Sequence, residues 1–313
     1  MRVFLAGATG AIGSRLVPQL VASGHSVVAT TRTDSKFPVL SESGAEPVRV
    51  DGLDAAAVGE AVAAAEPDVI VHQMTALAGS ADLRRFDRTF ATTNRLRIIG
   101  TDNLLAAARA AGVRRFVAQS FTGWPNERTG GPVKTEADPL DRHPPNAQRE
   151  SMAAIRYLEQ AVINAPLDGV VLRYGMFYGP GTSDELLDLV RKRRMPIVGA
   201  GGAIWSMIHT DDAASATVAA LERGSGVYNI VDDDPAPAAD VLPALAEILG
   251  AKPPRHVPLW LGRMAAGEVG VSYLTQIRGA SNVKAKRDLG WAPRWSSWRE
   301  GYRSGLTVPT TTG

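Results

Sequence analysis

The sequence predicts an α/β fold, a doubly wound parallel sheet carrying a smaller lobe at its carboxyl end, and three observations support that reading. First, an apolar run, Val3-Phe4-Leu5-Ala6, meets Gly7-Ala8-Thr9-Gly10-Ala11-Ile12-Gly13 and reads as a buried strand turning into a helix. Second, five more short apolar runs follow, separated by helical patterns, as consecutive βαβ units require. Third, 313 residues with 45% hydrophobic side chains suffice for one large core or two modest ones.

Composition excludes several function classes. A net charge of +2 from 34 basic and 32 acidic residues leaves no basic surface for nucleic acid. Cysteine is absent, so disulfides, thiolate nucleophiles and cysteine metal sites are ruled out, in keeping with a reducing compartment. No apolar run is long enough to span a bilayer, and Met1-Arg2 leads directly into a strand; a cytoplasmic location without a membrane partner is expected. The histidines at 25, 72, 143, 209 and 256 show no i, i+4 pairing, so no metal site is expected.

Each element then follows in order. In the first turn Gly7 suits a tight bend, Gly10 keeps no Cβ between main chain and a pyrophosphate, and Gly13 lets the helix pack close. Main chain at Gly7, Thr9, Gly10, Ala11 and Ile12 is therefore expected to hold a dinucleotide at the helix amino terminus. Leu16, Leu20 and Val21 recur at helical spacing up to Gly24-His25, with Pro18 inside the helix.

The second strand, Ser26 to Arg32, ends where an NAD-preferring fold presents a carboxylate to the ribose 2′-hydroxyl. Here the place holds Thr31 and Arg32. An Asp would repel a 2′-phosphate, whereas a guanidinium binds it, so NADP(H) is expected over NAD(H), with Lys36 as a second positive charge nearby.

The third strand, Pro47 to Val50, ends in Asp51-Gly52-Leu53-Asp54; Asp51 suits the adenine amino group, Leu53 its ring, and Asp54 the cap of the Ala-rich helix to Ala65. The fourth strand, Asp68 to His72, runs into Gln73-Met74-Thr75-Ala76, where small and amide residues let a cofactor pass over the strand end. One long helix is expected from about Phe86 to Ala111, with Leu96, Ile99, Leu104 and Leu105 as its apolar stripe. The fifth strand, Arg114 to Gln119, delivers Ser120-Phe121-Thr122-Gly123-Trp124 to the same edge.

Residues 125–147 read as a loop over the site, Ala147 to Asn164 as a helix, and Gly169 to Arg173 as the sixth strand, followed by Tyr174. Beyond it the pattern gives helices at 184–194, 212–223 and 238–249 and strands at 204–208 and 226–230. Residues 1–175 are expected as the dinucleotide-binding domain, 203–232 as returning to it, and 176–313 as the smaller substrate-binding lobe. The end Thr310-Thr311-Thr312-Gly313 is expected to fray.

Taken together, these residues resemble the NAD(P)-dependent epimerase/dehydratase family, the extended short-chain dehydrogenase/reductases. The resemblance rests on Gly7 to Gly13, Asp51 to Asp54, Gly100-Thr-Asp-Asn-Leu-Leu105, Leu172-Arg173 with Tyr178-Gly-Pro-Gly181, Ile208-His-Thr-Asp-Asp212, Asn282 to Lys286 and Leu289 to Pro293. It implies a Rossmann domain, an active site between that domain and the lobe, and a homodimer face on the helices near 86–111 and 147–164. It also implies a Tyr and a Lys four residues apart on the helix after the loop, so that the ammonium lowers the phenol pKa.

The sequence departs there, since those positions fall on Ser151 and Ile155 and no Tyr-x-x-x-Lys exists in the chain. The usual hydroxyl of the fifth strand aligns near Phe121, between Ser120 and Thr122. Thr122, Ser120 and Ser151 are the candidate catalytic hydroxyls, Tyr174 a candidate cofactor contact, and Tyr178, His143 and His209 further candidates. The reading is an NADP(H)-dependent oxidoreductase acting on a carbonyl or related carbon of a small organic substrate. Its rivals are a nucleotide-sugar epimerase or dehydratase with retained NAD, and a non-catalytic NADP(H)-sensing protein.

Overall fold

A computed structural model of the chain describes residues 1–77 and 82–307, so the terminal Thr310 to Gly313 lies outside the described residues. Seven strands form one parallel sheet: β1 (Arg2–Ala6), β2 (Ser26–Thr31), β3 (Glu46–Arg49), β4 (Val69–His72), β5 (Arg115–Phe121), β6 (Asp168–Tyr174) and β7 (Gly226–Ile230). Their order is β3-β2-β1-β4-β5-β6-β7. The direction of winding reverses between β1 and β4, and a crevice opens there at the carboxyl ends of the strands.

Alternation along each strand supplies both faces, as a parallel sheet with two covered sides demands. Val3, Leu5, Val27 and Val71 point to one side, where they meet Leu16 and Leu20 of α1 (Gly13–Ala22). Phe4, Val28 and Ile70 point to the other, against Val58 and Val62 of α2 (Ala55–Ala65), Leu104 of α3 (Thr101–Ala110) and Leu158 of α4 (Arg149–Asn164). The strand β7 and the helix before it, α5 (Thr210–Ala219), return from the carboxyl-terminal half, and α5 lies against α1 in the first of these cores. A third core, with Trp205, Trp298, Val241 and Leu245 in its interior, belongs to the lobe.

Local signals are met at several termini. Asp54 caps α2 by accepting the N–H groups of Ala56 and Ala57 at 3.0 and 3.1 Å. Pro18 and Ser14 share the exposed face of α1, so the carbonyl that the proline leaves without its helical donor lies on the solvent side. Trp291 and Trp298 pack inside the fold, their indole N–H groups donating to Ser215 and to the carbonyl of Asp234.

The expected long helix from Phe86 to Ala111 is broken. A 3-10 turn at Leu83–Arg85, short helices at Phe86–Thr89 and Ala91–Arg95, and a π turn at Leu96–Gly100 precede α3. Periodicity reads the apolar stripe straight through because the π turn absorbs its extra residue without moving Leu104 off the core. The loop at 125–147 is more ordered than expected: Val133–Lys134 pairs with Gly279–Ala280, and Arg128 holds Asp141 at 2.7 Å. The helix at 184–194 ends at Arg191, and the strand at 204–208 splits at Ser206, whose hydroxyl accepts the N–H of Ala280. The helix Leu259–Thr275, broken at Gly267 with φ +72, has too weak a periodicity to be read from sequence.

Candidate cofactor crevice and active site

The amino-terminal end of the crevice is built from main chain. Gly7 has φ +95, and a Cβ there would lie 2.7 Å from the backbone of Gln73, which follows β4. A Cβ on Gly13 would lie 2.3 Å from the carbonyl oxygen of Gly7. Only glycine permits either approach. Gly10 is different: a Cβ there meets nothing closer than 3.4 Å, and Thr9, Gly10 and Ala11 are exposed. The N–H groups of Ala11, Ile12 and Gly13 at the head of α1 make no hydrogen bond among the described residues. Free donors at a helix amino terminus beside an open glycine form a cradle that fits a diphosphate.

Arg32 stands at the end of β2, exposed, with no hydrogen bond or ion pair to any described residue. Lys36 is equally exposed, and nearby Arg49 faces Asp34 at 3.4 Å on the surface. Asp51 is exposed and turned toward its own loop, its Oδ1 accepting the N–H of Leu53 at 3.0 Å. Met74 is half-buried, and its N–H donates to His72 Nδ1.

Two expected cofactor contacts are placed differently. Tyr174 is fully buried on the α1 side of the sheet, its hydroxyl 2.6 Å from Thr217 Oγ1 and accepting from Gln73 Nε2 at 3.0 Å. Burial pushes this phenol up to about 12, against the pull of those two hydrogen bonds. Gln73 is thereby also turned inward. Residue identity at a strand end does not reveal which face the side chain takes, and here alternation carries Tyr174 into the core with Leu172.

The three candidate hydroxyls are all buried, and each has its own partner. Ser120 donates to Glu159 at 2.7 Å, and Glu159 in turn holds Arg173 through two bonds of 2.8 and 2.6 Å. Thr122 donates to Asn126 Oδ1 at 3.1 Å. Ser151 donates to Asp87 at 2.6 Å and accepts from Asn94 Nδ2 at 3.0 Å. Asp87 also accepts the N–H groups of Glu150 and Ser151, so it caps α4 from outside the helix. Ile155, at the expected lysine position, is buried in the apolar core of the lobe side.

The remaining candidates are structural in their contacts. His209 Nδ1 accepts the N–H of Asp211 and caps α5, while its ring lies 3.8 Å from that of Trp295. Burial lowers the His209 pKa, with Asp211 opposing. Tyr178 stacks on Tyr302 at 4.9 Å, and His143 lies exposed in the loop. Trp124 packs edge-on against Phe86 at 5.1 Å.

Three polar residues near the site were not singled out from sequence: Asp87, Asn94 and Arg97. Arg97 carries a readable signal, because it shares the buried phase of Thr101, Leu104 and Ala108, at spacings of four, seven and eleven residues. A charge on that stripe is an anomaly for a solvated helix.

A model of the NAD dependent epimerase/dehydratase family matches residues 3–231. The chain is 45% identical to a 3-diazoavenalumate denitrifying reductase from a Streptomyces species, over 96% of this chain and 99% of that one. It is 30% identical to a 2-alkyl-3-oxoalkanoate reductase from Stenotrophomonas maltophilia, over 80% of this chain and 76% of the relative. Among solved structures, a UDP-glucose 4-epimerase from Thermus thermophilus in complex with NAD superposes with a TM-score of 0.74 at 25% identity, covering 98% of each chain. Fold, glycine cradle and these likenesses agree: the chain belongs to the NAD-dependent epimerase/dehydratase family.

Proposed function

We propose that the chain is an NADP(H)-dependent reductase of a small organic molecule. One observation carries the choice of cofactor. Arg32 is exposed and unpaired at the end of β2, where a carboxylate would exclude a 2′-phosphate. A guanidinium there contributes about 1.5–3 kcal/mol through charge-assisted hydrogen bonds to that phosphate. Lys36 adds to the same field. The cradle at Gly7, Thr9, Gly10, Ala11 and Ile12 takes the diphosphate, and Asp51, Leu53 and Met74 line the adenine side.

Once bound, the cofactor supplies a hydride to a carbonyl or related carbon of the substrate. The chain's own part is to orient the substrate and deliver a proton. Ser151 is the hydroxyl best connected for that: its O–H, which rests on Asp87, turns to the substrate oxygen and gives up its proton there, and half-buried Asp87 passes a proton from solvent back to the Ser151 oxygen. Ser120 and Thr122 hold the end of β5 through Glu159 and Asn126. The reductase names of the relatives at 45% and 30% identity support reduction over epimerisation.

The test mixes purified protein with NADPH or NADH and a panel of ketones, enones and aldehydes. Oxidation of NADPH in preference to NADH is expected, and none across the panel despite tight binding overturns the reading. In Arg32→Asp the affinity for NADPH falls about tenfold or more while that for NADH is spared. Equal loss for both cofactors refutes the phosphate role. The likeness to an NAD-bound UDP-glucose 4-epimerase favours a second reading, an epimerase with retained NAD. The mass of any dinucleotide released on denaturation separates the two.

A further inference from the structure

Among the described residues three cationic side chains are buried, and two have a carboxylate: Lys134 faces Asp138 at 3.5 Å and Arg173 faces Glu159 at 2.6 Å. Arg97, only 7% exposed, has none. Its guanidinium offers five N–H donors and makes one long contact, 3.5 Å to Asn94 Oδ1. Its main chain belongs to the π turn Leu96–Gly100, a rare geometry that concentrates at functional sites.

The surroundings hold further spare hydrogen-bonding capacity. His72, at the end of β4, accepts the N–H of Met74 on Nδ1, which places its proton on Nε2. That Nε2 is buried, and the main-chain carbonyl of Leu96 is its one acceptor, too poorly aligned to make a regular hydrogen bond. Burial, against the pull of the Leu96 carbonyl and with the Arg97 charge adding to it, lowers His72 to about 4, so the ring is neutral at physiological pH. Tyr273 of the lobe helix faces the same charge; burial raises its phenol and Arg97 pulls it back. Glu159, a carboxylate whose charge acts on Arg97, has both oxygens engaged by Arg173 and Ser120. Burial lowers Arg97 itself only to about 10, so it stays charged. A buried charge with no partner is costly to the fold and is offset when an anion arrives.

We infer that Arg97 anchors an anionic substrate, a small organic carboxylate, with the ring of His72 and the amide of Asn94 beside it, where the end of β4 approaches the lobe helix. A carboxylate matches the planar fork of a guanidinium better than a spherical anion does. The inference deepens the reductase reading, and it is testable without the cofactor.

Acetate, benzoate and phenylacetate are each compared with the corresponding neutral amide, and with inorganic phosphate, by thermal unfolding and calorimetry on the full chain. At least one carboxylate is expected to raise the unfolding temperature where its amide does not. In Arg97→Met that affinity falls about tenfold or more, and Arg97→Lys recovers part of it. Without ligand, Arg97→Met unfolds no lower than the wild type, because a stranded charge gives way to an apolar side chain of similar length. Its NADPH affinity is unchanged, and Arg32→Asp leaves the carboxylate response intact, which separates this inference from the cofactor reading. The inference is overturned by the absence of carboxylate preference in all three pairs, or by equal stabilisation with phosphate. It is also overturned if Arg97→Met keeps the carboxylate response, or if its effect falls on NADPH binding instead.

Discussion

At the amino-terminal end of the crevice the walls are main chain: Gly7 touches the backbone of Gln73, Gly13 touches that of Gly7, and free N–H groups line the opening. At the far end, around the carboxyl ends of β5 and β6, the walls are side chains that meet from distant parts of the chain. Asp87 reaches Ser151 across 64 residues, and Glu159 joins Arg173 and Ser120. A wall of main chain tolerates little change of residue yet works with any dinucleotide of the right shape. A wall of side chains can be rebuilt residue by residue, and it is at this end that the family resemblance leads one to expect a Tyr and a Lys where Ser151 and Ile155 stand.

The difference predicts where each end breaks. The largest effect belongs to the side-chain end: Arg173→Met strands the Glu159 carboxylate, both groups being only 8% exposed, and costs about 3–5 kcal/mol in urea unfolding. Glu159→Leu combined with Arg173→Met recovers most of that loss, since the pair then leaves together. A double variant as unstable as the single one contradicts the pairing.

Asp232 sharpens the same point through pH. Burial pushes its carboxyl up to about 8, and Oδ2 has no hydrogen-bond partner. The folded state therefore holds a proton that the unfolded chain releases above the ordinary carboxyl range. The stability this lends at low pH is lost progressively as pH rises from the ordinary carboxyl range to about 8. Asp232→Asn removes that fall and is expected to stabilise by about 2 kcal/mol or more at pH 8, read from unfolding at pH 5, 7 and 9. An unchanged pH profile in the variant refutes it.

The main-chain end is tested by a pair of alanines. Gly13→Ala places a Cβ against the carbonyl of Gly7 and costs about 1–3 kcal/mol. Gly10→Ala meets only an ordinary contact, stays within about 0.5 kcal/mol of the wild type, and loses dinucleotide affinity instead. Ser151→Ala costs only about 1 kcal/mol, because Asp87 keeps its two main-chain donors. If turnover of NADPH in Ser151→Ala matches the wild type, Ser151 is no part of the proton path.

How much of this was legible follows from the same contrast. Strands buried on both faces announce themselves as apolar runs, and the cradle as glycines at fixed spacing, so the sheet and its first turn were readable. The position of Arg32 at the end of β2 was readable because it is set by a count from the last glycine. Tyr174 was misplaced because a strand end alone does not fix which face a side chain takes, and here it turns into the core with Thr217. The long helix from Phe86 was misread because a π turn leaves the hydrophobic period nearly intact. Arg97 was visible only as a charge on a buried stripe, and its lack of a partner is a fact of three dimensions.

The most direct measurement is a calorimetric titration of the folded wild-type chain and of Arg32→Asp with NADP and with NAD. If the glycine cradle and Arg32 act as argued, the wild type binds NADP more tightly than NAD and Arg32→Asp loses that preference while still binding NAD. Absence of heat with either dinucleotide, on material shown to be folded, contradicts it.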